Sequence, residues 1–331
     1  MHRTTRARRL VIAALILAAM AAIHTSPAAA ADPYPNKPVK ILIGFAAGGP
    51  TDVVARMVAQ KLSESLKQQF VVENRPGAGS NIAMGLAARS APDGYTLLFV
   101  SSAYVVNPTL YGANVTYDPY KDFAPITVAA DAPNAVFVNP SVPAKTMKEL
   151  IDVVRANPGK YSIATAGMGT TPDLAAELLR MSFKLDAVRV PFNGGAPSVQ
   201  SVLQGQTPIG IGAIPPATQL IKSGQLRGIA VAAKHRAPAL PDVPTMTESG
   251  IADQDSDTFA AMLAPAGTPQ PIIDLLHRET VRALADPSVK DRLIELGFDP
   301  VGNTPAQFTA QIKEEIEKWG KVIKAANMKV E

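Results

Sequence analysis

Val39-Lys40-Ile41-Leu42-Ile43-Gly44-Phe45-Ala46-Ala47-Gly48-Gly49-Pro50-Thr51-Asp52 is the stretch whose reading decides the fold. Its first five residues read as a buried strand, and a loop of small residues follows. Val53, Val54, Met57, Val58, Leu62 and Leu66 then keep the i, i+3/i+4 spacing of one buried helix face. The same design returns at Ala164-Thr165-Ala166-Gly167-Met168-Gly169-Thr170-Thr171-Pro172-Asp173. Here Thr171 reads as the N-cap and Pro172 as the first helical residue. Each copy is a strand, a glycine-bearing loop, and a helix opened by Thr, Pro and Asp.

Working outward, further strands are expected over 70–72, 96–100, 135–138, 162–165, 188–190, 209–211 and 226–232. Thr146 and Glu149 form the pattern of a capping box, and so do Thr304 and Gln307. The C-terminal part reads as largely helical, from Pro269, from Pro287 and from Thr304. Nearly all-apolar strands that alternate with helices predict an α/β fold with mainly parallel sheets flanked by helices. About 300 residues is more than one core usually supports, so two lobes are expected. Ligands of doubly wound sheets bind beyond the carboxyl ends of the strands, which places one glycine loop on either side of a cleft.

Residues 1–31 read as a segment that is removed on export. Arg3, Arg6, Arg8 and Arg9 precede an apolar run over 10–23, and the stretch ends in Pro27-Ala28-Ala29-Ala30-Ala31, with cleavage expected at Ala30 or Ala31. Fourteen apolar residues fall short of the roughly 20 that span a bilayer. The chain holds 32 basic and 28 acidic residues, and four of the basic ones lie in that segment without an acid, so the rest is balanced at 28 of each. No basic stripe points to a nucleic-acid partner. The absence of cysteine excludes disulfides, thiolate metal sites, a cysteine nucleophile and a lipid-anchored N-terminus. After export the only histidines are His235 and His277, too far apart in sequence for a metal motif and both expected at the surface. No cofactor is expected.

Small residues let a ligand reach the backbone, and helix N-termini point unsatisfied N–H groups outward. The guest this chemistry favours is an anion, held by neutral donors, because neither loop contains lysine or arginine. The Gly44…Gly48-Gly49 spacing is neither a P-loop nor G-x-G-x-x-G, and no G-x-S-x-G elbow is present. Asp52 and Asp173 stand in the first helical turns. Either they favour the positive helix end, or one of them recognises a donor on the ligand.

Several motifs together resemble the Bug-type substrate-binding proteins of tripartite tricarboxylate transporters. They include Tyr34-Pro35-x-Lys37-Pro38-Val39-Lys40, Gly48-Gly49-x-x-Asp52-x-x-Ala55-Arg56 and Glu73-Asn74-Arg75-Pro76-Gly77-Ala78-Gly79. Pro92-Asp93-Gly94-Tyr95-Thr96-Leu97, Asn107-Pro108-x-Leu110-Tyr111, Val190-Pro191-Phe192-x-Gly194-Gly195 and Leu263-Ala264-Pro265-Ala266-Gly267-Thr268-Pro269 continue the series. The resemblance implies a two-lobed fold of the type II periplasmic-binding class, with a ligand cleft between the lobes. One lobe is expected to comprise 32–131 and 255–331, and the other 132–254.

It further implies that Phe45, Ala46, Ala47, Gly48 and Thr51 contact the ligand in the first loop. Ser101, Ser102 and Asn107 line the same lobe, and Thr165, Gly167, Thr170 and Thr171 come from the second, with Phe192 as a wall. Asp52 and Asp173 complete the expected set. The implied role is that of a monomeric, freely diffusing periplasmic receptor that passes a small carboxylate to an integral membrane permease. A sensing co-receptor would use the same cleft. The chain departs from the family where Asp173 replaces a common His and Thr207-Pro208 a common Val-Asp. Few aromatics, with only Phe45 and Phe192 placed at the cleft, lean toward aliphatic acids.

Overall fold

The chain begins its sheet with three parallel strands, of which the first and third are almost wholly buried and the second, at the sheet edge, is largely not. These are β1 (Val39–Ile43), β2 (Phe70–Asn74) and β3 (Thr96–Ser101), with β1 in the middle. The structure, a computed structural model, describes residues 34–329, and the folded body runs from Lys37 onward. The expected export segment lies outside the described residues. Helices α1 (Pro50–Leu66) and α2 (Asn81–Ala88) make the crossovers between these strands, and α3 (Ala103–Leu110) follows β3. The apolar stripe read for α1 does face inward: Val54, Val58 and Leu62 are fully buried.

A second parallel group holds β5 (Ser162–Thr165), β6 (Val188–Pro191) and β7 (Ile209–Ala213), with β5 in the middle. Around it lie α4 (Met147–Arg155), α5 (Thr171–Phe183), α6 (Gly195–Leu203) and α7 (Thr218–Lys222). The two groups are joined by one long strand, β4 (Phe123–Val138). It pairs antiparallel with β9 (Asp257–Pro265) from Phe123 to Pro133, and with β7 from Asn134 to Val138. The path through the sheet is therefore β2-β1-β3-β9-β4-β7-β5-β6. The short strands β8 (Arg227–Val231) and β10 (Asp299–Pro300) lie off this path against β4. Helices α8 (Gln270–Ala285), α9 (Pro287–Leu296) and α10 (Pro305–Ala325) close the chain.

Three expectations change. The strand expected over 135–138 is the end of one of 16 residues. Pro125 and Pro133 argue against a strand there, but Pro125 sits at a register shift and Pro133 where the partner changes from β9 to β7. No strand is expected over 257–265, ahead of the C-terminal helices, yet β9 lies there; its Ala260-Ala261-Met262-Leu263 run suits a helix as well as a strand. The box at Thr146 is half closed: the Thr146 hydroxyl accepts the Glu149 N–H, while Glu149 Oε2 accepts from Lys145 N–H instead. The box at Thr304 and Gln307 forms in full and opens α10.

One core cluster fills the first group, from Leu42, Leu98 and Tyr104 to Phe308 and Trp319 of α10. Two others fill the second group on opposite faces of its sheet. Leu174, on α5 of the second group, is fully buried in the core of the first.

Candidate functional site

The first glycine loop is shaped from beneath by Asp52. This residue is third in α1 and almost wholly buried. Its Oδ2 accepts the Gly48 N–H and Arg56 Nε, each at 2.9 Å, and its Oδ1 accepts Asn74 Nδ2 at 2.9 Å. The same Asn74 amide reaches the Phe45 carbonyl at 2.9 Å, so the end of β2 also grips the loop. Burial lifts the Asp52 carboxyl, but the hydrogen bonds from Arg56, Gly48 and Asn74 outweigh it and hold the group below its usual range. Ala46, Ala47 and Gly48 are left exposed, and Phe45 and Thr51 lie deeper.

The second loop repeats the device. Asp173, third in α5 and fully buried, accepts the Gly169 N–H at 2.9 Å on Oδ2 and the Thr165 hydroxyl at 2.8 Å on Oδ1. Arg189 of β6 donates to the same Oδ2. Here burial prevails over Arg189, Gly169 and Thr165, and the carboxyl is raised. In both loops the glycine that gives its N–H to the aspartate is left-handed, Gly48 at φ 82° and Gly169 at φ 72°, a conformation that side chains resist. The cap is one residue earlier than expected. Thr170 is the N-cap, with extended φ and ψ, and Thr171 is the first helical residue. The Thr170 hydroxyl donates to the Gly167 carbonyl at 2.8 Å, leaving Thr171 to bond elsewhere.

One expected residue from each set, Ser102 and Thr171, meets the first residues of β9. The Phe259 N–H donates to Ser102 Oγ at 2.9 Å, and that hydroxyl approaches the Asp257 carbonyl at 3.4 Å. Between these two, the Thr258 hydroxyl lies 2.7 Å from that of Thr171. Gly169 backs directly onto Leu110 of α3: a Cβ there would lie 2.0 Å from Leu110 Cδ2. So Ser102, Thr171 and the Gly169 turn are brought together. Ser101 Oγ accepts the Ala103 N–H at 3.2 Å at the start of α3. Asn107 donates to the Gly79 carbonyl and to Asn81 Oδ1 within the first group. Phe192 follows β6, with its N–H on the Thr165 carbonyl at 2.9 Å, and is half-buried.

The N–H groups of Ala46, Ala47, Gly167 and Met168 have no hydrogen-bond partner among the described residues. They are main-chain donors that the two loops leave unpaired. Arg56, Asn74, Arg189 and Thr258 were not foreseen as part of this machinery. Arg56 stands four residues after Asp52, a legible helical pair, whereas the reach of Arg189 across 16 residues leaves no local signal. His235 is exposed as expected, while His277 is half-buried with Nε2 3.2 Å from the Asn303 carbonyl. Among the described residues no acidic or histidine cluster is spaced to hold a metal ion, and no helix is long and apolar enough to cross a membrane. An open hollow of about 480 Å³ between α1 and β2, lined by Arg56, Gln60, Phe70 and Val72, holds none of the expected contact residues.

Residues 54–328 match the family described as "Tripartite tricarboxylate transporter family receptor", TctC. The chain is similar to a structure of the periplasmic binding protein BugD, 35% identical, with a TM-score of 0.80 over 90% of this chain and all of that one. It is similar to Rpa4515 of R. palustris solved with adipate, 31% identical and TM-score 0.82, over 90% of this chain and all of the other. It also resembles MatC of Rhodopseudomonas palustris with bound malate, at 31% identity and TM-score 0.78, over 88% of this chain and all of that one. These relatives are solute-binding proteins rather than enzymes. The chain, with its α/β fold of the periplasmic-binding type, belongs to the TctC family of tripartite tricarboxylate transporter receptors, among its Bug-type members.

Proposed function

We propose that the protein captures a small aliphatic dicarboxylate between its two glycine loops and delivers it, as a monomer, to the permease of a tripartite tricarboxylate-type transporter. The observation that carries this reading is the matched pair of braces. Asp52 and Asp173 each draw in one loop N–H, and the neighbouring amides of Ala46, Ala47, Gly167 and Met168 are left to an anionic guest. Arg56 and Arg189 are occupied by these aspartates, so neutral donors do the binding. Asp52 and Asp173 act through the loops they hold. Hydrogen bonds to a charged group net about 1.5–3 kcal/mol each. Four or five of them, less the cost of ordering, leave about −8 kcal/mol, or micromolar affinity. The adipate and malate bound by two relatives fit this class.

The lobes of the clamp are 32–131 with 255–331, and 132–254, hinged where β4 exchanges β9 for β7. The segment 1–31 is the export signal. The test is a thermal-shift screen of the protein from Asp32 onward with malate, adipate and related diacids, alongside monoacids and neutral amides. A diacid at 100 times its dissociation constant stabilises the fold by about 2.7 kcal/mol. The shift shrinks in Thr170→Ala and Ser101→Ala. Equal response to neutral amides, or none to any diacid, overturns the ligand class. Uptake of that diacid, lost on deletion of the gene and restored by the wild-type protein, tests delivery.

A further inference from the structure

Four carboxyl groups converge where the strands cross between the two groups. Asp131 of β4 is the direct cross-strand partner of Asp299 on β10, and of Phe259 on its other side. Asp257 of β9 pairs with Pro133, two residues along, which puts its side chain on the same sheet face, diagonal to Asp131. Side chains directly opposite one another in an antiparallel pair have Cβ atoms roughly 5 Å apart, and like charges there destabilise. Helix α10 covers this face with Phe308, Ile312 and Trp319, and Glu315 lies on the same helical stripe with Oε2 2.6 Å from Trp319 Nε1.

The cation near them is Lys318. Its Nζ donates to the Asp255 carbonyl at 2.7 Å and stands 3.9 Å from Glu315 Oε1. One lysine does not balance four carboxylates. Asp131 Oδ1 is moreover shielded from solvent and has no hydrogen-bond partner among the described residues. An ionised oxygen in that position is stabilised neither by water nor by protein, whereas a protonated carboxyl carries no charge to solvate.

We propose that Asp131, with Asp257, Asp299 and Glu315 around it, forms a proton-binding site at the crossover, and that its occupancy controls the packing of β4 against β9 and thereby the residues at the candidate cleft. The connection is short. The Asp257 carbonyl and the Phe259 N–H both meet Ser102, and Thr258 between them meets Thr171. The site needs no ligand, so it stands or falls apart from the receptor reading.

Burial, and then the charges of Asp257, Asp299 and Glu315, push Asp131 up to about 8. Asp299 is raised by burial as well, whereas Asp257 stands exposed at the start of β9 and bears on Asp131 through its charge. The stabilisation that goes with a raised carboxyl is complete at low pH and is lost as pH rises through the folded value. The ligand-free protein therefore loosens at the crossover between pH 6 and pH 9.

The experiment compares wild type, Asp131→Asn, Asp257→Asn and the exposed control Asp291→Asn across that range, by thermal unfolding and by hydrogen exchange of the peptide covering 257–262. Wild type and Asp291→Asn lose about 2–4 °C in melting temperature from pH 6 to pH 9, together with protection of that peptide. Asp131→Asn loses clearly less in both, and Asp257→Asn shows the transition at lower pH, because one charge that repels the ionised Asp131 is gone. If Asp131→Asn follows the same curve as wild type, the proton is held elsewhere and the proposal fails. If magnesium or calcium restores protection to wild type at pH 9, but not to Asp131→Asn, the cluster is a cation site and the proposal is equally overturned.

Discussion

Asp173 and Gly169, four residues apart, are joined by a hydrogen bond of 2.9 Å from the glycine N–H to the carboxylate, and Asp52 and Gly48 stand in the same relation at the same distance. The bond turns one loop amide inward and fixes how the next ones face. In Asp173→Asn the negative charge that answers Arg189 is lost, at about 1.5–3 kcal/mol. Arg189→Gln does more harm, because it leaves a buried carboxylate uncompensated, at about 3 kcal/mol or more. Denaturant unfolding of the two variants checks the order, and Asp173→Asn with Arg189→Gln together should cost less than the sum.

Gly169 cannot take a side chain without consequence. Alanine there adds left-handed strain of about 1–2 kcal/mol and a methyl group 2.0 Å from Leu110 Cδ2. Leu110→Ala in the same chain removes the clash but not the strain. The double variant should thus be more stable than the two single losses imply, as a double-mutant cycle on melting temperatures would show. Full additivity would separate the two residues.

Acid acts on the first loop in the opposite sense from the crossover. The folded Asp52 carboxyl is held below its usual 3.8 by the hydrogen bonds of Arg56, Gly48 and Asn74. Its stabilisation is present above about pH 4 and is lost as the pH falls through the lower folded value. Asp52→Asn should therefore weaken the protein at pH 7 and make little difference at pH 2–3. Melting curves of the variant and wild type should converge in acid; parallel curves across that range would show that Asp52 is not the group concerned.

Thr171→Val keeps the size of the side chain and removes its hydroxyl contact with Thr258. The expected loss is about 0.5–1.5 kcal/mol for the hydrogen bond. Amide exchange at the start of α5 and of β9 should quicken together. Quickening at α5 alone would mean that the two segments are not mechanically joined through these hydroxyls.

The sequence made the paired glycine loops legible because their signals are local: an apolar strand, small residues, then Thr, Pro and Asp at a helix start. The α1 stripe of Val54, Val58 and Leu62 was readable for the same reason. What escaped was long-range. Arg189 reaches Asp173 from another strand, and Thr258 reaches Thr171 from 87 residues away. Pro125 and Pro133 hid β4, since only the finished sheet shows that each sits where the pairing is already broken or changing hands. The shift of the cap from Thr171 to Thr170 has a similar cause: two adjacent threonines carry the same propensity, and only their partners in the finished fold, the Gly167 carbonyl for Thr170 and Thr258 for Thr171, distinguish them.

Leu174 belongs by sequence to the second group of elements and by packing to the core of the first. Each group produced alone would thus be incomplete, one with a socket and the other with a bare peg. Replacing this one leucine with alanine would leave a void of the kind that costs about 2–5 kcal/mol, and the cost would fall on the union of the two halves more than on either half. The molecule is consequently keyed: a peg from one half fits a socket in the other, so fragment complementation should require both halves in one tube, and neither should reach native order by itself.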